Sequence, residues 1–187
     1  MGRVLPIVMR MTVTDEALAL TAADGDGEAF SSLLHRHYDR VFRLAFRLTG
    51  MRAEAEDLCQ DVCAALPGKL GAYRAEARFT TWLYRVVVNA AHDRRRRFAS
   101  HAKAAEGWGE VEVARRAEVA ETAEALDWLT SAMRALPEEL RDTVALVLDE
   151  VTHAEAALVL GVSEGTVSWR VSEAKKRLRA MKEAEDV

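Results

Sequence analysis

The sequence predicts an all-α protein made of two small helical domains joined by a flexible linker. Three observations carry this. Apolar residues recur at threes and fours along most of the chain. No segment sustains period-two alternation. Between residues 100 and 125 the large aliphatics thin out. Composition agrees: of 187 residues 50% are hydrophobic, 6% are aromatic and three are proline, a stock suited to helices.

Residues 1–25 read as a tail or short helix. Met1–Val13 is mildly apolar with two arginines, but lacks the apolar stretch and cleavage site of a signal peptide. Its natural start is open between Met1, Met9 and Met11. The first domain spans 26–98. Its opening helix carries Phe30, Leu33, Leu34, Val41, Phe42, Ala45, Phe46 and Leu48, and closes at Thr49-Gly50, where glycine tolerates a left-handed cap. A second helix runs from about Ala53 to Leu66 and is expected to stop at Pro67-Gly68. Gly71–Ala77 reads as a loop. A third helix runs from near Phe79 to about Phe98, with Thr80 or Thr81 as its cap. It takes in the β-branched Val86–Val88 and ends in Arg94–Arg97.

Residues 99–125 form the linker, rich in alanine and glutamate, with glycines on either side of Trp108. The second domain, 126–187, resumes the helical period at Leu126, Leu129, Met133 and Leu136. Pro137 then opens a helix through Leu140, Val144, Leu146, Val147 and Leu148. Two further short helices fill Thr152–Ala180. Little follows Met181, so no fused regulatory domain is expected.

Charge and cysteines narrow the classes. The net charge is −4, whereas a protein that grips DNA unaided is usually basic. Any DNA contact must therefore use local positive charge, or a partner must supply the rest. Two cysteines make no disulfide framework and suit a reducing, cytoplasmic setting. No apolar run approaches the about 18 residues of a membrane span, so no membrane insertion is expected.

His153–Ser172 is the most informative stretch. Ala157 and Gly161 are four apart, and Val167 follows six later. A helix-turn-helix needs a small residue where its helices touch, a glycine to turn, and an aliphatic to lock the second helix onto the first. Ser163 can cap that second helix, and Glu164 suits its positive end. Helical spacing puts Val167, Val171, Ala174 and Leu178 inward. Trp169, Ser172, Glu173 and Lys176 face outward with Ser168 beside them. Thr166 and Arg170 stand laterally, placed for phosphates. A plain helical hairpin is the competing reading, and core packing is the competing role for Trp169.

The other basic feature is Arg94–Arg97, with Arg74, Arg78 and Arg85 upstream and Phe79, Trp82 and Tyr84 between. Interleaved arginines and rings suit melted DNA, charge following the backbone and rings stacking on bases. The same residues equally suit a solvated basic face around a core tryptophan.

Several stretches together carry a resemblance. Glu54–Leu66 (EAEDLCQDVCAAL) resembles the polymerase-binding helix of extracytoplasmic-function (ECF) sigma-70 factors, and Phe79–Arg97 resembles their −10 recognition helix. Leu136–Arg141 (LPEELR) and the helix-turn-helix, with Gly165-Thr166-Val167 and Arg170, resemble their −35 domain. The resemblance implies an alternative sigma factor that binds core RNA polymerase, melts the −10 element, docks on −35 duplex, answers to an anti-sigma factor and catalyses nothing itself. It implies polymerase contacts at Asp57, Gln60 and Asp61. It places a base flipped from the −10 element in the Arg74–Arg78 loop. Thr81, Trp82, Asn89 and Asp93 match its −10 helix, and the last helix would read −35. It also accounts for the acidic balance, because the polymerase shares the grip on DNA. Two positions depart from the pattern: Trp169 stands where many members have serine, and Pro67 where an aromatic is common.

The expected −10 set is thus Arg74, Arg78, Phe79, Thr81, Trp82, Arg85, Asn89, Asp93, Arg94, Arg95, Arg96 and Arg97. The expected −35 set is Ser163, Glu164, Thr166, Ser168, Trp169, Arg170, Ser172 and Lys176. A stand-alone helix-turn-helix regulator and a decoy that titrates an anti-sigma factor are the rival readings. No catalytic constellation, cofactor motif or metal site is expected. Cys59 and Cys63 share an apolar face with Leu58, Val62 and Leu66, while His35 and His37 point roughly 200° apart on one helix and cannot share a metal. Glu138-Glu139 and Asp149-Glu150 read as solvated helix faces.

Overall fold

Eight helices and no strands make up the described residues of the computed structural model, which are 13–104 and 128–185. The expectations for residues 1–12 and for most of the linker lie outside them.

The helix α1 (Asp15–Ala23) starts at Thr14, whose side chain accepts from the Ala17 amide at 3.2 Å. The helix α2 (Gly27–Thr49) starts at Asp26, whose carboxylate takes the Glu28 and Ala29 amides at 2.8 and 3.0 Å. It buries Leu33, Val41, Ala45 and Leu48 of the expected stripe together with Leu44, which the stripe left out, while Phe30, Leu34, Phe42 and Phe46 are half-buried, and it ends at Gly50 with φ of 70°.

The helix α3 (Arg52–Leu70) corrects the expected stop at Pro67-Gly68, because it passes through Pro67 for another turn. Proline removes one backbone bond and crowds the preceding turn. Leu66 and Leu70, four apart, are both buried in the core. Burying a leucine is worth about 1.5–3 kcal/mol, comparable to the cost of the proline. The helix α4 (Phe79–Ala104) outruns its expected end near Phe98. Its cap also differs from expectation. Thr80 and Thr81 lie inside the helix, and the Phe79 amide donates to Glu16 Oε1 at 3.2 Å. A carboxylate from α1 thus supplies the cap.

In the second half, α5 (Trp128–Ala135) and α6 (Glu138–Val147) flank Pro137, and α7 (His153–Leu160) and α8 (Glu164–Glu185) form the helix-turn-helix. The last helix is long, at 22 residues, where a short one was expected. Helices α1–α4 pack mutually, as do α6–α8. The halves also pack on each other, α4 against α7 and α2 against α5 and α6, so that one hydrophobic core runs from Leu33 in α2 to Val171 in α8.

The α1–α2 joint has a pH signature. His37 is buried, with Nε2 2.8 Å from Asp15 Oδ2, and Arg36 bonds the other oxygen at 2.8 Å. Nδ1 of His37 has no partner among the described residues, which fits a neutral ring donating from Nε2. Burial lowers the His37 pKa by more than Asp15 raises it. Burial raises that of Asp15, but Arg36 and His37 outweigh it and hold the carboxyl below its usual range. Both linkages run the same way. The His37 contribution is complete above the unfolded value of about 6.5 and fades as pH falls toward the folded value. The Asp15 contribution is complete above about 3.9 and is lost through its lower folded value. Urea midpoints should therefore decline gently below about pH 6.5 and steeply below about pH 4. His37→Gln should remove the first stage; a midpoint equally pH-independent in both proteins between pH 7 and 5 contradicts the assignment.

Candidate nucleic-acid interface

The helix-turn-helix is built as its spacing requires. Thr152 and Glu155 close a reciprocal capping box on α7, with Glu155 N to Thr152 Oγ1 at 3.2 Å and Thr152 N to Glu155 Oε2 at 3.1 Å. Gly161 turns the chain at φ 67°. Ser163 then caps α8 by accepting the Thr166 amide at 3.1 Å. Ala157 is buried, Val167 is completely so, and Val171 and Ala174 continue the inward stripe.

The outer face of α8 is open. Trp169 is 61% exposed, which rejects core packing for that ring. Ser163, Glu164, Ser168, Ser172 and Lys176 are exposed beside it. His153 Nδ1 meets Ser168 Oγ at 3.0 Å across the turn and holds that hydroxyl at the start of the face. Arg170 is folded back onto α6, 3.3 Å from Glu139, and Glu173 pairs with Arg177 at 2.8 Å.

The first half presents a loop and a helix. Tyr73 is buried, and its hydroxyl donates to the Ala77 carbonyl at 2.8 Å. Its ring lies 5.7 Å from that of Phe79 and 5.5 Å from that of Trp82. This aromatic knot closes the loop 71–78 and leaves Arg74 and Arg78 exposed at its rim. Within it Ala75 has φ of 55°, a left-handed conformation that a side chain disfavours. Phe79 and Thr81 are buried and build this support, so neither forms part of the outer face; Trp82 is half-buried.

Along α4, Arg85, Asn89, Asp93, Arg96 and Arg97 are exposed, and Arg94 and Arg95 are partly covered. An open groove of about 640 Å³ runs beside Lys69, Asn89, Arg95 and Arg96, with Glu138 of the other half on its wall. The run Arg94–Arg97 is not one surface. Arg94 turns to α3, where it meets Asp57 at 2.9 Å, Asp61 at 3.3 Å and Glu54 at 3.5 Å. Arg95 turns to the second half. Arg96 pairs with Asp93 and lowers the pKa of its carboxyl. Asp57, Gln60 and Asp61 share the exposed face of α3, so the expected polymerase and −10 sets meet at Arg94.

Residues that sequence reasoning missed join the halves. Asp142 of α6 is buried, held by Arg95 at 2.8 and 3.2 Å and by His92 Nε2 at 2.7 Å. Asp149 follows α6. Its side chain is 5% exposed, and it takes Arg47 at 2.7 Å and the Tyr84 hydroxyl. Burial pushes the Tyr84 hydroxyl up and Asp149 adds to that, so the tyrosine is the donor. Asp149 is therefore not the solvated face that was expected. Glu138 is exposed as expected, and it meets Arg95 at 2.9 Å from that surface. His92, Glu138 and Asp142 bring three ligand-type atoms within 4.8 Å, but the guanidinium of Arg95 already bonds both carboxylates. Cys59 is buried and Cys63 half-buried, both as free thiols. A hydrogen bond from Cys59 lowers the Cys63 thiol to about 7.

Two helical halves, one with an arginine-bearing helix over an acidic face and one with an open helix-turn-helix, define a protein shaped to meet nucleic acid at two places. Comparison with known proteins agrees. The Sigma-70 region 2 family matches residues 33–100, and Sigma-70 region 4 matches residues 126–178. The ECF RNA polymerase sigma factor SigM of Mycobacterium tuberculosis is 38% identical over 167 residues, covering 88% of this chain and 83% of its own. The RNA polymerase sigma factor NccH of Alcaligenes xylosoxydans xylosoxydans is 32% identical, covering 92% and 97%. Among solved structures, CnrH in complex with the cytosolic domain of CnrY superposes with a TM-score of 0.68 at 26% identity, over 91% of this chain and 97% of that one. RpoE of Bartonella quintana, solved with the anti-sigma factor NepR, shares the fold at the same TM-score and 20% identity. The chain belongs to the sigma-70 family, in its ECF group, and is an alternative sigma factor. Among the described residues no helix is long and apolar enough to cross a membrane.

Proposed function

We propose that this sigma factor binds core RNA polymerase through Asp57, Gln60 and Asp61 of α3. It meets the melted −10 element with the Arg74–Arg78 loop and α4, and docks on −35 duplex with the outer face of α8. It acts in the cytoplasm, turns over no substrate and is restrained by an anti-sigma factor. The observation that carries the reading is the bare face of α8. Trp169, Ser172 and Lys176 stand exposed on a helix whose opposite side is locked into the core by Val167 and Val171. Tryptophan is a residue type enriched at binding surfaces, apolar in body with a donor at its edge, and a capped second helix is the element that enters a major groove. The strained Ala75 in a loop braced by buried rings supports a binding role for that loop. Restraint by an anti-sigma factor is proposed because CnrH and RpoE were each solved with a protein partner, NepR being an anti-sigma factor.

Transcription with purified core polymerase on a randomised promoter library tests it. The protein should select a −35 and a −10 element and start transcripts from them. Trp169→Ala should change −35 preference while leaving the selected −10 sequence in place, with a cost of about 10-fold or more at the affected base, the scale of a lost base contact. Failure to start any transcript across the library sinks the reading. Tight duplex binding without polymerase points instead to a stand-alone regulator.

A further inference from the structure

Both cysteines of the chain, Cys59 and Cys63, lie on α3, one turn apart. Neither belongs to the proposed polymerase or promoter contacts. Cys59 is completely buried, and Cys63 is half-buried at the edge of the same core. Tyr38 of α2 is 45% exposed, and its hydroxyl reaches the Cys59 sulfur. The three groups form a directed chain of hydrogen bonds. The phenol donates to Cys59, and Cys59 donates to Cys63. That last bond, together with burial, pushes the Cys59 thiol up and keeps it protonated. Cys63 is the final acceptor, and the bond from Cys59 holds its thiol down at about 7 against the opposing effect of burial.

A part-exposed sulfur that receives a hydrogen bond is the kind of thiol that oxidants reach first. Its neighbours along the same helix face, Gln60 before it and Pro67 after it, are both exposed. An internal disulfide is disfavoured. Side chains four apart on a helix have Cβ atoms about 5–6 Å apart, whereas a disulfide brings them to about 3.8 Å. Closing one would unwind a turn of α3 that Leu58, Val62 and Leu66 hold in the core. An oxidised Cys63 is therefore left for a thiol from solution.

We propose that Cys63 is a site of reversible S-thiolation, and that the adduct, three residues from Gln60, blocks the polymerase-facing side of α3. The oxidant is a peroxide, and the capping group is a low-molecular-weight cellular thiol. The Cys63 thiolate attacks one peroxide oxygen: an S–O bond forms, the O–O bond breaks, and hydroxide leaves. The sulfur is oxidised and the peroxide reduced. The small thiol then attacks the sulfenic acid: an S–S bond forms, the S–O bond breaks, and the hydroxyl leaves with the thiol's proton as water. Interface cores pack as densely as protein interiors, so a peptide-sized group at this edge has no room once polymerase is docked. That consequence rests on the proposed contact at Gln60; the modification itself does not.

The test treats the full chain with hydrogen peroxide and glutathione, then measures intact mass, the modified peptide and affinity for core polymerase on one sample. One glutathione should map to Cys63. Polymerase affinity should fall about tenfold or more, and dithiothreitol should restore both mass and affinity. Cys63→Ser should bind polymerase like the untreated wild type and ignore the treatment. Alkylation by iodoacetamide reads the hydrogen-bond chain, because Cys59 is buried and only Cys63 is open to the reagent. The rate should rise with a midpoint near pH 7 in the wild type. Cys59→Ala should move that midpoint up toward about 8.5, the value of a free cysteine. A treated wild type without an adduct at Cys63, or one that has only lost two hydrogens to a Cys59–Cys63 disulfide, overturns the site. An unmoved midpoint in Cys59→Ala overturns the role of Cys59. An adduct that leaves polymerase affinity unchanged overturns the block. If the untreated protein fails to bind polymerase, the proposed contact on α3 falls and the block with it, while the mass still decides the site.

Discussion

Val167→Asp should unfold the helix-turn-helix and abolish recognition of −35. Val167 is fully buried where α8 crosses α7, in the same core as Ala156, Ala157 and Val159. A carboxylate there has no cation to meet, and an unpaired buried charge costs several kcal/mol, a large share of the about 5–15 kcal/mol that holds a domain folded. Val167→Ala should cost only about 2 kcal/mol, the loss of two methyl-sized groups plus a small cavity. Circular dichroism melts check both. The aspartate variant should lose helical signal at 25 °C and direct no transcripts from promoters that need a −35 element, and the alanine variant should stay folded. An aspartate variant that melts with the wild type would place α8 elsewhere.

Asp57→Arg combined with Asp61→Arg should leave the fold intact and sever the protein from core polymerase. The two side chains are 62% and 59% exposed, so the melting temperature should move by less than about 4 °C. The electrostatic change at the surface is large. Arg94 now stands among three acids, counting Glu54; the substitutions would set two further arginines beside it. Across an interface, like charges cost several kcal/mol, which corresponds to about 100-fold or more in affinity. Pull-down or interferometry against core polymerase measures this, with Cys63→Ser, four residues from Cys59 on the same helix, as a neutral control. Unchanged affinity would move the proposed polymerase contact off this face of α3.

Much of this molecule could be read along the chain because the relevant forces are local. The inward stripe of α8, the turn at Gly161 and the caps at Ser163 and Gly50 each depend on residues within one or two turns of one another. Spacing alone reveals such relations. Pro67 misled because its helix-breaking cost is local, whereas the burial of Leu70 that offsets it depends on the packed core. The cap of α4 was missed for a related reason: Glu16 reaches Phe79 across 63 residues, and a threonine within the helix looked sufficient.

The fate of the charges was the other illegible part. Glu138, Asp142 and Asp149 lie at helical spacing, as do Tyr84, His92 and Arg95, and each stripe by itself resembles a solvated face. That they meet is visible only in three dimensions, where His92 and Asp142 are 50 residues apart and Arg47 and Asp149 are 102 apart. The sequence by itself determined the helices, the turn chemistry, the two-part organisation and the family. Only the tertiary structure decided which arginines face outward, which acids are buried, and that the two halves close on one another. Helical periodicity is a property of neighbours, whereas the partner of a charge is set by whichever distant surface the folded chain brings within about 3 Å.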